Sequence, residues 1–435
     1  MAIPRNRRAG VGGDSQVFHW FIGLLLLGCS SSSAVEDASM DDAATDRTVD
    51  SSPDASSGPT WYEDVAPVVY EQCVSCHQPG AIAPFSLVSY EEAQLQATRM
   101  AVATQDRTMP PWLARDDGSC NSYDESRWLS EDEIQLFADW LAAGTPMGDP
   151  ANAPAMPADP PSLQDVTHTW DMGGTYTPDA TVSDDYRCFN IDSATIGEGF
   201  ITGFEVKPGE PSVVHHLIVF AIDDPTAQAA ARAQDEADPD LGYSCFGTES
   251  RLVAPWAPGT GPTYYPDGTG IEVGPDSLLF MQVHYNLAAG PRPDRTVVDV
   301  HIEPTVARPA RVAGVRNGQL VLPPRMPLIE TSAVWTPQIR RDVTIYGVFP
   351  HMHTLGRTLR VDRMRADGTE SCLVDVNEWD FNWQQFYFYR DPVIINPGDQ
   401  FRITCGFETT ERNETTTWGE GSEDEMCLNY LYFVP

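Results

Sequence analysis

Val213-Val214-His215-His216-Leu217-Ile218-Val219-Phe220-Ala221-Ile222 is an apolar, largely β-branched run, broken only by two adjacent histidines and closed by Asp223-Asp224-Pro225. A short apolar run bounded by turn formers reads as a strand. The same pattern recurs at Leu278 to Tyr285, Val343 to Val348 and Phe401 to Cys405, between Pro, Gly and Asp turns. Helical periodicity in this half of the chain is confined to Pro225 to Ala237. The pattern predicts antiparallel β-sandwiches, and a span of about 275 residues is too long for one. The Pro-bounded stretch Glu303 to Pro309 divides it into sandwiches over 163–307 and 308–435.

Upstream, the Pro-rich stretch 151–162 reads as an extended spacer. Before it, residues 61–150 predict a small all-helical domain with helices over Trp61 to Cys73, Tyr90 to Thr104 and Ser130 to Ala143. The last carries a capping box, Ser130 with Glu133, and a stop at Gly144. Residues 29–60, rich in Ser, Asp and Ala, lack the large apolar groups needed to offset ordering entropy, so they read as a disordered acidic tether. Residues 1–28 join a basic start, Arg5, Arg7 and Arg8, to an apolar run too short to span a bilayer. They read as a signal peptide. The ending Leu26-Leu27-Gly28-Cys29 resembles a bacterial lipobox and marks Cys29 for lipidation, which implies an exported protein of the cell envelope held to a membrane by a lipid anchor alone.

Across 435 residues the formal net charge is −36, which argues against nucleic acid and anionic membrane surfaces as partners, since binding phosphates takes a basic face. The nine cysteines fall into different chemical classes. Cys73-Val74-Ser75-Cys76-His77 is the attachment string of a covalent haem c: two thiols reach the two vinyl groups and the next histidine faces the iron. A redox pair would not need His77, and a zinc site would need a second ligand pair. Met109, in the extended segment Arg107-Thr108-Met109-Pro110-Pro111-Trp112, is the expected sixth ligand, with Met100 and Met147 as alternatives. His with Met suits electron transfer rather than oxygen chemistry.

Five of the nine histidines gather at His215-His216, His284 and His351-Met352-His353. Residues two apart on a strand share a face, so His351 and His353 can hold one metal. His215 and His216 cannot do so in a regular strand; a bulge, a twist at a strand end or the use of different ring nitrogens is required.

Around these histidines, Val214 to Phe220, Leu279-Phe280-Met281-Gln282-Val283-His284-Tyr285, His351-Met352-His353-Thr354-Leu355-Gly356 and the segment Glu411 to Cys427 resemble the copper type II, ascorbate-dependent monooxygenases. The resemblance implies two jelly-roll-like sandwiches facing each other across a solvent-filled cleft, each with one copper. His215, His216 and His284 would hold an electron-storing copper; His351, His353 and Met426 would hold the copper that activates oxygen. Tyr430 would stand near substrate, with Asn429. The family also implies the disulfides Cys405–Cys427 and Cys188–Cys245, and leaves Cys120 and Cys372 either bridged to each other or free.

Phe349 stands where peptide-amidating members carry an arginine for the substrate carboxylate, and Asp380-Phe381-Asn382-Trp383-Gln384 reads as sandwich core. The expectation is a copper monooxygenase hydroxylating a C–H bond of a small organic substrate with dioxygen, its electrons coming through the haem from ascorbate or a redox protein. The rival reading is a non-catalytic electron-transfer or copper-binding lipoprotein.

Overall fold

Val214–Ile222 forms a strand inside a four-stranded antiparallel sheet, in the order Asp184–Asn190, Leu278–Asn286, Val214–Ile222, Arg251–Trp256. Its alternate residues Leu217, Val219 and Ala221 enter one core, and Ile222 enters another that includes Ala231 of the helix Pro225–Ala237. Burial on both faces explains why the run is apolar throughout rather than alternating. The computed structural model describes residues 58–81, 83–156, 162–244, 250–287, 290–419, 421 and 423–435. The signal segment 1–28 with Cys29, nearly all of the tether, residues 157–161 of the Pro-rich stretch and Cys245 lie outside the described residues.

A long sheet provides the second layer. From the first half it takes His168–Asp171, Val297–Glu303, Gly199–Lys207 and Thr269–Val273; from the second, Arg308–Arg316, Leu428–Val434, Val343–His351 and Tyr387–Ile395. The halves meet in a parallel pairing of Arg308 to Ala310 with Thr269 to Ile271. Ile201, Phe204, Val298 and Val300 meet Leu217 and Val219 in the first core. In the second, Ile345, Val348 and Leu431 meet Leu359, Val361 and Ile403 from the sheet Ile329–Trp335, Gln400–Phe407, Gly356–Met364, Glu370–Val376. The two sandwiches therefore share one sheet, whose pairing removes the exposed edges that separate sandwiches would leave at this junction.

Helices Ala66–Gln72, Tyr90–Gln105 and Glu131–Ala142 close on Trp61, Val65, Ala97, Met100, Phe137 and Trp140. Ser130 and Glu133 make the expected capping box, and Ser89 with Glu92 makes another. The segment between the second and third helices leaves this cluster: Trp112, Ala114 and Tyr123 are buried in the core of the second sandwich. Backbone bridges Ala114 to Val376 and Tyr123 to Tyr389 fix it there, and the Cys120–Cys372 disulfide locks it. The helical stretch is thus built into the second sandwich at these points. Among the described residues no helix is long and apolar enough to cross a membrane.

Candidate metal centres

Three histidines converge at the ends of two neighbouring strands. The ladder pairs Val214 with Tyr285 and then His216 with His284, so His215 is the extra residue of a β-bulge. Of the three ways to turn adjacent histidines to one side, the chain uses the bulge. The Nδ1 of His216 stands 3.3 Å from Nδ1 of His215 and 3.3 Å from Nδ1 of His284. Three nitrogens each about 2.0–2.1 Å from a common ion would show edges of this size.

The opposite ring nitrogens fix the tautomers. His215 Nε2 lies 2.9 Å from Asn382 Oδ1, and His284 Nε2 lies 2.9 Å from Asp184 Oδ1. Each donates its Nε2–H outward and turns a bare Nδ1 lone pair inward, as outer partners do for metal-ligating imidazoles. Burial pushes His216 well below the ordinary histidine pKa and His284 down to about 4, and lowers His215 as well. Three neutral rings with converging lone pairs repel one another, and a cation relieves that repulsion. Tyr186 stacks flat on His284 at 4.1 Å.

The second group sits at the end of strand Val343–His351. His353 lies beyond the strand, yet the alternation holds: Met352 between them is fully buried in the core while the two imidazoles meet at 5.2 Å and 86°. His351 Nδ1 is 2.5 Å from Gln384 Oε1, and His353 Nδ1 is 3.1 Å from the Asp424 carbonyl oxygen. Here Nδ1 is engaged and Nε2 is left for a metal, the reverse of the first group. Burial holds His351 down to about 3 and lowers His353.

Glu425 organises this group and was missed from the sequence, where it is one acid among many. Its buried carboxylate accepts the backbone N–H groups of His353, Leu355 and Met426 at 3.0, 2.6 and 3.1 Å, and burial raises its pKa to about 7. Met426 is therefore anchored to the loop of His353, and the Cys405–Cys427 disulfide pins the next residue. Cys188 is disulfide-bonded and fully buried, whereas Cys245, its expected partner, lies outside the described residues.

Asp380 to Gln384 corrects the sequence reading. Asp380 Oδ1 accepts from the amide and side chain of Asn382, and Trp383 N–H donates to the Asp380 carbonyl, so the stretch is a tight turn rather than a core strand. The Phe381 ring lies 4.9 Å from His215, 6.2 Å from His216, 6.0 Å from His284 and 6.0 Å from His353. The space expected as solvent-filled thus holds an aromatic ring between the histidine groups. A cavity of about 510 Å³ opens beside it, lined by Phe381, Trp383, Trp379 and Arg357 from the second sandwich and by Arg107 and Leu113 from the helical stretch. Phe349 pairs with Tyr430 across the ladder and touches its ring at 6.2 Å and that of Phe386 at 5.4 Å. Asn429 is fully buried, and its Oδ1 has no hydrogen-bond partner among the described residues.

Residues 170–290 match the N-terminal domain of the copper type II ascorbate-dependent monooxygenases, and residues 314–435 match the C-terminal domain. The chain belongs to the copper type II ascorbate-dependent monooxygenases. Tyramine beta-hydroxylase of Caenorhabditis briggsae is 28% identical over 248 residues, covering 53% of this chain and 41% of that protein. Human dopamine beta-hydroxylase is 28% identical over 251 residues, covering 53% and 40%, and human DBH-like monooxygenase protein 1 is 24% identical over 255 residues, covering 53% and 40%. The chain thus spans about two fifths of the length of these curated relatives. For this member of the copper monooxygenases both matched spans contain histidine groups: His215, His216 and His284 in the first, His351 and His353 in the second.

The Cys73-Val74-Ser75-Cys76-His77 string lies before the matched spans. Cys73, Cys76 and His77 follow the helix Ala66–Gln72, with the His77 N–H donating to the Cys73 carbonyl at 2.9 Å. Both thiols are unpaired and half-buried. His77 Nδ1 lies 3.1 Å from the Phe85 carbonyl oxygen, so the ring is held through Nδ1 and not through Nε2. Met109 is half-buried after the second helix, Met100 is buried in the helical core, and Met147 is exposed.

Proposed function

We propose that the chain hydroxylates a C–H bond of a small organic substrate with dioxygen, using two copper ions fed by a covalent haem. The observation that carries this reading is the opposed use of ring nitrogens. His215, His216 and His284 offer three Nδ1 atoms, and His351 with His353 offers two Nε2 atoms, so the chain offers two separate metal positions with Phe381 between the groups. A closed three-imidazole set suits an ion that stores and passes an electron; two imidazoles with the Met426 thioether favour the cuprous ion that meets dioxygen. When bound, copper supplies dioxygen activation and one-electron transfer. The balance is one oxygen atom into the C–H bond and one into water, with two electrons and two protons consumed.

The residues around the second group define what enters. Phe349, Phe386 and Tyr430 form an aromatic wall with no cation among them, so the site does not grip a peptide carboxylate and suits an apolar or aromatic body. Tyr430 stands as the substrate contact.

The donor set at Cys73 to His77 fits a haem c. The other described cysteines are in disulfides, yet these two thiols are not. The Nδ1 bond to the Phe85 carbonyl aims His77 Nε2 outward, as such supporting bonds do for metal-ligating imidazoles. Met109 would complete the iron, which then carries electrons from ascorbate or a redox protein. Export and attachment to the envelope through lipid on Cys29 complete the proposal, with no nucleic-acid partner.

The test is copper and haem content of the purified full chain, followed by reductant-dependent oxygen consumption against a panel of apolar and aromatic small molecules. Two coppers, one covalent haem and substrate-coupled oxygen uptake are expected; one zinc and no copper would overturn the monooxygenase reading.

A further inference from the structure

The helical stretch touches the first sandwich at Gly259. Cys76 Sγ lies 3.8 Å from the Gly259 carbonyl oxygen, and Arg127 donates to the same oxygen at 3.4 Å. Gly259 has a φ of +83°, and a Cβ placed there would stand 3.1 Å from Cζ3 of Trp383 and 3.9 Å from Cys76 Sγ. The thiol and the indole are therefore no more than 7.0 Å apart, the sum of those distances, with only a glycine between them. The missing side chain is what allows this approach.

Trp383 in turn sits inside the turn that supports the histidines. Its neighbour Asn382 accepts from His215 Nε2 at 2.9 Å, and Phe381 stacks on the same imidazole at 4.9 Å and 26°. On the other side Gln384 reaches His351 Nδ1 at 2.5 Å. Two side chains of the turn thus meet His215 and one meets His351.

We propose that Trp383 and Asn382 form the electron route from a haem held at Cys76 to the three-histidine copper at His215, a role that rests on the haem and copper reading above. A one-electron donor, ascorbate or a redox protein, reduces ferric haem. The ferrous iron then loses that electron and returns to ferric, while the cupric ion on His215, His216 and His284 gains it and becomes cuprous. No bond or proton changes on Trp383 or Asn382, which serve as the medium between the two centres. The close approaches run from Cys76 to the Gly259 carbonyl, past the position of the absent Gly259 side chain to Trp383, through one peptide to Asn382 and across one hydrogen bond to His215.

Laser-flash reduction tests this on the full chain loaded with ferric haem and cupric copper, under anaerobic conditions. A photoexcited dye injects one electron, and haem absorbance reports its departure. In the wild type the ferrous signal decays as the cupric electron-paramagnetic signal falls, and copper-free protein shows no decay. Trp383→Leu, which removes the indole beside Gly259, slows the decay severalfold. Trp383→Phe restores most of the rate. Asn382→Ala, at an exposed position, slows it at saturating copper with haem content and haem potential unchanged, while copper binds the His215 group more weakly once the Nε2 partner is gone. Decay at the wild-type rate in Trp383→Leu, or slowing by Gln384→Ala but not by Asn382→Ala, overturns the route. A wild-type protein without covalent haem overturns the underlying reading instead, so the two failures are told apart.

Discussion

His353 takes its place through groups that do not themselves bind a metal. Its amide is held by Glu425 and its Nδ1 by the Asp424 carbonyl, so one loop fixes its backbone and its ring. Met426, next along, is the only soft donor expected at this group. Met426→Ile keeps the volume and removes the sulfur; on the proposed reading, hydroxylation should fall to background while haem reduction by ascorbate and copper on the three-histidine group persist, read by turnover, haem absorbance and copper content. At the other group Asp184 supports His284, and Asp184→Ala should weaken copper there by about 10–100-fold, measured by competition with a copper chelator. Glu425→Ala leaves three amides without their acceptor inside the protein. Each buried unmet donor costs about 1–3 kcal/mol, so a clear loss of thermal stability, seen by calorimetry, should accompany loss of the second copper.

The strands that carry histidines were legible because both signals were local: apolar runs ended by turn formers, and histidines clustered within them. Val214–Ile222 and Leu278–Asn286 appear where expected within a residue, and the helix Glu131–Ala142 begins at its capping box. What the sequence hid was the long-range placement of short turns. Asp380 to Gln384 is aromatic enough to pass for core, and only the Asx turn at Asp380, together with its position between the sandwiches, turns Phe381 toward four histidines. Trp112, Ala114 and Tyr123 likewise sit among helices in sequence but are buried in the second sandwich, because these side chains find a larger core there than three short helices provide. The Cys120–Cys372 bond closes a separation of 252 residues. Long closed loops restrict the unfolded chain most, and loss of such a bond typically costs about 2–5 kcal/mol. Cys120→Ser with Cys372→Ser should therefore lower the melting temperature and open a new site of limited proteolysis near residues 107–128, absent in the wild type.

The whole molecule is an anion, with 63 acidic against 27 basic side chains. Its field extends about one Debye length from the surface, roughly 10 Å at 0.1 M salt, and shrinks as salt is added. A negatively charged reductant such as ascorbate is repelled by that field, whereas a basic redox protein is drawn toward it and oriented by it. The sign of the salt effect therefore distinguishes the two classes of donor, whichever molecule fills the role. If the proposed haem is present, its reduction by ascorbate should accelerate as salt rises from low to physiological concentration, because screening removes repulsion. Reduction by a small cationic electron carrier should slow over the same range, and by more if it docks near the acidic surface before transfer. Stopped-flow haem absorbance at a series of salt concentrations measures both. Equal slopes for the two donors would mean that the haem edge lies where local charges cancel the net field, and the donor would then be selected by contact rather than by charge.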